Sequence, residues 1–342
     1  MIEDQFRELI KNKRVLVTGG TGSIGRVIVQ SLLQYEPRVI RVLSRDAIKQ
    51  IGFQTELGNP ANVRFIMGDV RDAERLLMAC EDIDIIFHAA AFKYVPQGEY
   101  NPFETVQTNV VGTQNLITAS LKTPSVTRFV MISTDKAVQP SSTMGASKLL
   151  AERLVSTAHY IRGSKSKIFT TVRFGNVLGT TGSVVPLFLE KIRRGEPLNV
   201  THPEMSRFFM TVSDAVQLVF SATVLAHGGE IFVLKMPAMA IKDLAEVCVA
   251  RYAKQPLPIT YGVVRPGENL TEALLTPAEA WNALETESHF IIVPRIEIPG
   301  ITISSEYQYP GVRPLTSNTY QTQTAPRLNK KEIVALLDRA GI

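Results

Sequence analysis

The chain has 342 residues, 45% of them hydrophobic and 20% charged, and carries a formal net charge of +5. This composition excludes a disordered chain and suffices for one large core, or for a main domain with a smaller companion. Lys and Arg are scattered without any long basic block, which speaks against nucleic acid and for a phosphate-bearing small molecule.

In chain order, Ile2, Phe6, Leu9 and Ile10 fall on one face of a short amphipathic helix. The apolar strand RVLV (14–17) then runs into the glycine loop TGGTGSIG (18–25), and RVIVQSLLQYEP (26–37) follows as a helix stopped near Pro37. Further strands are expected at VIRVLS (39–44), 63–69, 83–91, 128–135 and 168–177, with helical segments between them. Such alternation predicts a doubly wound parallel sheet covered on both faces, an α/β fold occupying residues 1–180. Beyond 180 the rhythm breaks. A helix is expected over 183–197, a short strand at 197–201, and a helix over 213–227 with Ser213 as its N-cap. A strand at 230–235 returns to the sheet. Residues 181–300 are thus expected to form mainly a substrate-binding domain. The polar tail 301–342, ending in an amphipathic helix at KKEIVALLDRA, is expected to serve oligomerisation.

Cys80 and Cys248 stand far apart and read as buried thiols of a reducing compartment. The five His show no ligand spacing, so no metal is expected. Without a leader-like start or a long apolar run, the expectation is a cytoplasmic protein with no membrane insertion.

Thr18, Gly19, Gly22 and Gly25 make a T-G-x-x-G-x-x-G pattern, with Ser23 and Ile24 inside it. Alone this says little. Between an apolar strand and a helix in the first βαβ unit it predicts a pyrophosphate resting on backbone amides at a helix N-terminus. At the end of the second strand Ser44 and Arg45 suit the 2′-phosphate of NADP, while Asp46 one place later leaves NAD open. Asp69 after the third strand either accepts from the adenine amino group or caps the next helix. Val70, Ala89 and Ala90, at the ends of the third and fourth strands, complete the expected cofactor contacts.

STDK (133–136) ends a strand at the carboxyl edge of the sheet, where open α/β folds bind ligands. Met144 and Lys148, at i and i+4, share one face of the following helix. A Tyr at position 144 would exchange a proton with a substrate hydroxyl; a Met thioether has none to give.

The ordered motifs TGGTGSIG, SRD, GDVRD, HAAAFKYVP, NPFETVQTNVVGT, STDKAV, MGASK, RFGNVLGTTGSVVPLF, THPEMSRFFMT and RPGENLTEALL span nearly the whole chain. In them it resembles the UDP-N-acetylglucosamine 4,6-dehydratases, a group of extended short-chain dehydrogenases/reductases. The resemblance implies a Rossmann domain with a smaller C-terminal substrate domain, tightly bound NADP regenerated in each turnover, a UDP-sugar substrate and a homo-oligomer, often a hexamer. It implies oxidation at sugar C4, loss of water across C5 and C6, and return of the hydride to C6. By resemblance Lys136 is the base at C5 and Asp135 the acid at C6. Lys148 holds the nicotinamide ribose and assists at C4, through water or Thr134. Asp135 must be protonated, which burial favours. Lys136 must be neutral, which a cationic nicotinamide and Lys148 would favour. Some members of the group carry Met at the position of Met144.

Asn176, Arg207, Arg265 and Glu268 match nucleotide-sugar contacts of the group, and Lys93 lies near cofactor and sugar. Asn109, in QTNVVGT, is counted with the cofactor-binding residues, and is expected to tie the helix geometry around the site together rather than to touch substrate. Asn269 departs from the usual RPGEK. Two other readings stay open: an epimerase or reductase of the same fold, and a non-catalytic NADP-binding protein.

Overall fold

The computed structural model describes residues 2–163, 166–180, 182–294, 307–315 and 317–342. Helix α1 (Ile2–Ile10) buries Phe6 and Ile10 against the body of the protein. The first half then alternates: β1 (Arg14–Thr18), α2 (Ser23–Leu32), β2 (Val39–Ser44), α3 (Ala47–Glu56), β3 (Val63–Met67), α4 (Ala73–Cys80) and β4 (Ile85–His88). Two short helices, α5 (Val95–Tyr100) and α6 (Pro102–Val106), precede α7 (Gly112–Lys122), β5 (Arg128–Thr134), α8 (Thr143–Ile161) and β6 (Ile168–Phe174). β1 pairs in parallel with both β2 and β4, and the order β3-β2-β1-β4-β5-β6 puts the switch point between β1 and β4. Ligands bind in this crevice of open α/β sheets, beyond the carboxyl ends of the strands. The strands are near-continuous apolar runs because both faces are covered. Val15 and Val17 enter one core cluster with Phe6 and Phe220, and Leu16 enters the other with Phe129 and Phe169.

The second half starts with β7 (Asn176–Val177), α9 (Val184–Arg194), β8 (Leu198–Val200), β9 (Ser206–Met210) and α10 (Val212–Leu225). Next come β10 (Ile231–Leu234), β11 (Ala238–Ala240), α11 (Ile241–Tyr252), β12 (Ile259–Tyr261), β13 (Ala273–Leu275) and α12 (Pro277–Ala280). It closes with β14 (Ala283–Glu285), β15 (His289–Ile292), β16 (Arg313–Pro314), β17 (Tyr320–Gln321) and α13 (Lys330–Arg339). β10 joins the central sheet parallel to β6, and β15, β14 and β16 extend it antiparallel, giving ten strands among the described residues. A separate apolar cluster of Phe188, Leu198, Phe209, Leu244 and Leu337 holds the remaining elements together beyond the sheet's edge.

One detail differs from expectation. Helix α10 begins two residues earlier than its Ser213 suggested. Thr211 caps it, accepting from Asp214 N at 3.1 Å while the Asp214 carboxylate accepts from Thr211 N at 2.9 Å, a reciprocal box that Ser213 cannot form. Among the described residues from 307 on, β17 pairs with β13, α13 packs on α11, and the Tyr309 hydroxyl donates to buried Glu230 at 2.6 Å. Residues 301–306 of the expected tail lie outside the described residues. Among the described residues no helix is long and apolar enough to cross a membrane.

Candidate active site

A cleft of about 790 Å³ lies along the carboxyl edge of the sheet, with Gly19, Gly22, Ser23, Ile24 and Gly25 at one end. Gly22 is the N-cap of α2 and supplies no side chain to its first amides, so these donors face the cleft uncapped. Gly25 lets α2 start hard against the loop: a Cβ there would stand 2.3 Å from the Gly19 carbonyl oxygen. Bare helix-end donors and a closely approached backbone fit the pyrophosphate of a dinucleotide.

Ser44, Arg45, Asp69, Val70, Ala89, Ala90 and Lys93 all line this cleft. Ser44 is buried and its hydroxyl accepts from Gln50 at 3.1 Å. Arg45 is exposed, with its guanidinium 3.6 Å from the Asp69 carboxylate. Asp46 caps α3, accepting from Lys49 N at 3.0 Å. Asp69 accepts from Arg71 N and from its guanidinium, and the cap of α4 is Asp72 instead. Lys93 is exposed, with its ammonium over the Tyr94 ring, and partial desolvation of that ammonium holds it below the usual lysine value.

Two expected cofactor residues do not reach the cleft. Thr18 is fully buried, its hydroxyl 2.7 Å from His88 Nδ1. Asn109 accepts from Phe92 N at 2.7 Å and donates to Phe92 O and to the Ser147 hydroxyl, which uses up its amide as a brace between helices. A one-dimensional motif records neighbours in sequence, not which side of the loop a short side chain faces.

At the other end of the cleft lie Thr134, Lys136, Met144 and Lys148. Ser142 caps α8, accepting from Gly145 N at 3.1 Å, and Gly145 lets the helix touch the turn that carries the acid and the amine. A Cβ at Gly145 would sit 2.2 Å from the Lys136 carbonyl oxygen. Lys148 is buried one turn on, donates to Ile132 O at 2.6 Å, and is pushed down to about 8 by that burial. Met144, also buried, brings only a thioether.

Asp135 Oδ1 accepts from the Thr134 hydroxyl at 2.8 Å and from Lys136 Nζ at 3.1 Å. Burial, reinforced by the carboxylate of Glu272, raises its carboxyl to about 7, the direction expected of an acid. Lys136 departs from expectation. Burial disfavours its ammonium, but Asp135 and Glu272 outweigh that and hold it above the ordinary lysine value. The cation that opposes them is Arg207, where Lys148 was expected.

A second cavity of about 290 Å³ adjoins the first through Lys136 and Asn176, and brings in Arg207, Arg265, Glu268 and Glu272. Asn176 donates to Phe208 O at 3.1 Å. Arg207 is buried, with Nε 3.2 Å from Glu272 and Nη2 3.5 Å from Glu268. Arg265 is exposed at the mouth, and its backbone N–H donates to Glu268 at 3.4 Å. Glu272 itself, 2.9 Å from Lys136 Nζ, has no counterpart among the residues expected to act. The signal for it was a lone acid at the head of the apolar run EALL. Equally unforeseen is Arg173, wholly buried and bonded to Glu152 of α8 at 2.6 Å and Glu279 of α12 at 2.8 Å.

The switch-point cleft, its glycine turn and a lysine on the helix after β5 define a Rossmann protein of the extended short-chain dehydrogenase/reductase kind. The chain belongs to the polysaccharide biosynthesis protein family, whose model matches residues 15–294. It is 39% identical over 292 residues to a UDP-N-acetylglucosamine 4,6-dehydratase (inverting) of Campylobacter jejuni, covering 85% of each chain. It is 35% identical over 332 residues to a UDP-glucose 4-epimerase of Rickettsia conorii, covering 95% of each. The solved structure of Pen from Bacillus thuringiensis superposes with a TM-score of 0.90 at 40% identity, covering 97% of this chain and 99% of the other.

Proposed function

We propose that this protein is a hydro-lyase, a UDP-N-acetylglucosamine 4,6-dehydratase acting with NADP in surface-polysaccharide sugar synthesis. The observation that carries this is the pairing of Asp135, raised to about 7, with Lys136 at 3.1 Å, Lys136 lining the cleft that holds Lys148 and Asp135 buried behind it. A proton donor and a cation-capable amine set side by side suit loss of a hydroxyl with removal of a neighbouring C–H. Simple oxidation or epimerisation at C4 has no use for such a pair.

The glycine loop would hold the dinucleotide pyrophosphate, Ser44 and Arg45 its 2′-phosphate, and Asp69 and Val70 its adenine end. Ala89, Ala90, Lys93 and Lys148 would hold the nicotinamide end. With Asp46 committed to its helix, Arg45 and Lys49 make this corner cationic, which favours NADP over NAD. The nicotinamide, when bound, supplies the acceptor and later the donor of one hydride. Lys148, pushed toward neutrality by burial, helps take the C4 hydroxyl proton with Thr134, since Met144 cannot. Asp135 gives its proton to the departing C6 hydroxyl, and Lys136 removes the C5 proton that the 4-ketone has made acidic. For that step Lys136 must first yield, to solvent in the cleft it lines, the proton that Asp135 and Glu272 hold on it. Asn176, Arg207, Arg265 and Glu268 would seat the UDP moiety in the second cavity.

The same proposal makes 1–180 mainly the cofactor domain and 181–300 mainly the sugar domain, in a cytoplasmic homo-oligomer, a hexamer by resemblance. Exposed Tyr100 and Phe103, close together on α5 and α6, offer apolar surface for such assembly.

Purified protein incubated with UDP-N-acetylglucosamine should give a product lighter by one water, without net consumption of added NADPH. A product of unchanged mass would favour the epimerase reading, which the Rickettsia relative supports. Unchanged substrate, with cofactor confirmed in the protein, would defeat both.

A further inference from the structure

Glu272 stands at the centre of a buried group of charges drawn from separate parts of the chain. Its Oε1 is 2.9 Å from Lys136 Nζ, on the turn after β5, and 3.2 Å from Arg207 Nε on β9. Asn176 Nδ2 of β7 lies 3.5 Å from its Oε2, and Glu268 meets the far side of Arg207. The same Lys136 ammonium bridges it to Asp135, whose Oδ1 lies 3.1 Å from that Nζ, so the two carboxylates face one nitrogen. Asp135 Oδ1 is taken by Thr134 and Lys136, while Oδ2 is buried without a donor. Two adjoining buried carboxylates cannot both stay ionised cheaply, and a proton between them removes the repulsion. Glu272 has two cations against it and Asp135 one, so the proton belongs on Asp135.

We propose that Glu272 is a positioning residue for the acid: it shares one proton with Asp135 and, pinned by Lys136 and Arg207, leaves that proton on Asp135. Glu272 is accordingly held low, chiefly by Lys136 against the upward push of burial, and Asp135 is pushed up. The proton keeps the acid neutral at rest. After Asp135 donates it, Glu272 has none to return, and the proton taken from the C4 hydroxyl, handed on through Thr134 at 2.8 Å, balances the step. Calling Asp135 the acid rests on the dehydratase reading; the shared proton does not.

The test is a carboxyl ¹³C NMR titration of the full-length protein labelled at Asp and Glu, with Asp135 assigned by difference against Asp135→Asn. In the parent protein the Asp135 and Glu272 resonances should respond together near neutrality. In Glu272→Gln the Asp135 midpoint should fall by at least about one pH unit, because a negative neighbour is gone and Lys136 stays. The alkaline limb of the elimination rate should move down with it, which a merely structural defect would not produce. An Asp135 midpoint that stays put in a folded Glu272→Gln protein overturns the proposal. If that variant does not fold, the parent titration decides: carboxyls that respond at unrelated pH values overturn it equally. A shared titration in a protein that releases no water from UDP-N-acetylglucosamine would sink the functional reading and leave this one standing.

Discussion

In the proposed reading, Asp135 is the residue on which the chemistry turns. Replacing it with Asn removes the transferable proton at nearly constant shape, and should lower the elimination rate by about 10²- to 10⁴-fold with little change in substrate affinity. Mass-spectrometric rates with the cofactor loaded check this; an Asn variant as fast as the parent would remove Asp135 from the mechanism. The pH dependence follows from its raised value of about 7: the acid is present below that and lost above it, so elimination should decline as pH rises through 7. The same shift has a stability sign. The folded value lies above the unfolded 3.8, so Asp135's contribution is complete at lower pH and shrinks as pH rises from there to about 7.

At the scale of elements, the proposal divides the cofactor's recognition between the α2 start and the β2 end. Gly25→Ala would drive a methyl into the Gly19 carbonyl, and should weaken dinucleotide binding at least about tenfold by calorimetry, whichever nucleotide is used. Arg45→Ala should instead weaken NADP about ten- to a hundredfold and NAD hardly at all, since only the former carries the 2′-phosphate. Equal loss for both would remove Arg45 from that role. Those elements were legible because period and punctuation are local: alternating apolar runs mark buried strands, and glycines mark the turn. Asp135 and Lys136 were readable as neighbours at a strand end, and their proposed roles came from the resemblance. Glu272 was not, because it meets Lys136 only after the chain has run 136 residues further. The ionisation of Lys136 was misjudged for that reason, since the carboxylate that keeps it charged comes from the other half of the fold. Thr18 and Asn109 show the converse, motif residues whose side chains are bonded inward.

Across the whole molecule, Arg173 ties the sheet to both flanks. Its guanidinium joins Glu152 on α8, the helix that carries Lys148, to Glu279 on α12, just after the strand that follows Glu272. Arg173→Met would leave two carboxylates in a dry interior, and should cost about 3–5 kcal/mol in urea unfolding, far more than an exposed pair. A variant within about 0.5 kcal/mol of the parent would show that the cluster is not under that electrostatic load. A guanidinium bolted into the floor in this way also limits how a bulky guest can get in. The two sides of the crevice cannot swing apart like a jaw without tearing that bolt out, so entry and exit belong to the lip, where Tyr94 leans on Gly182 and the turn of Arg265 and Glu268 closes over the mouth.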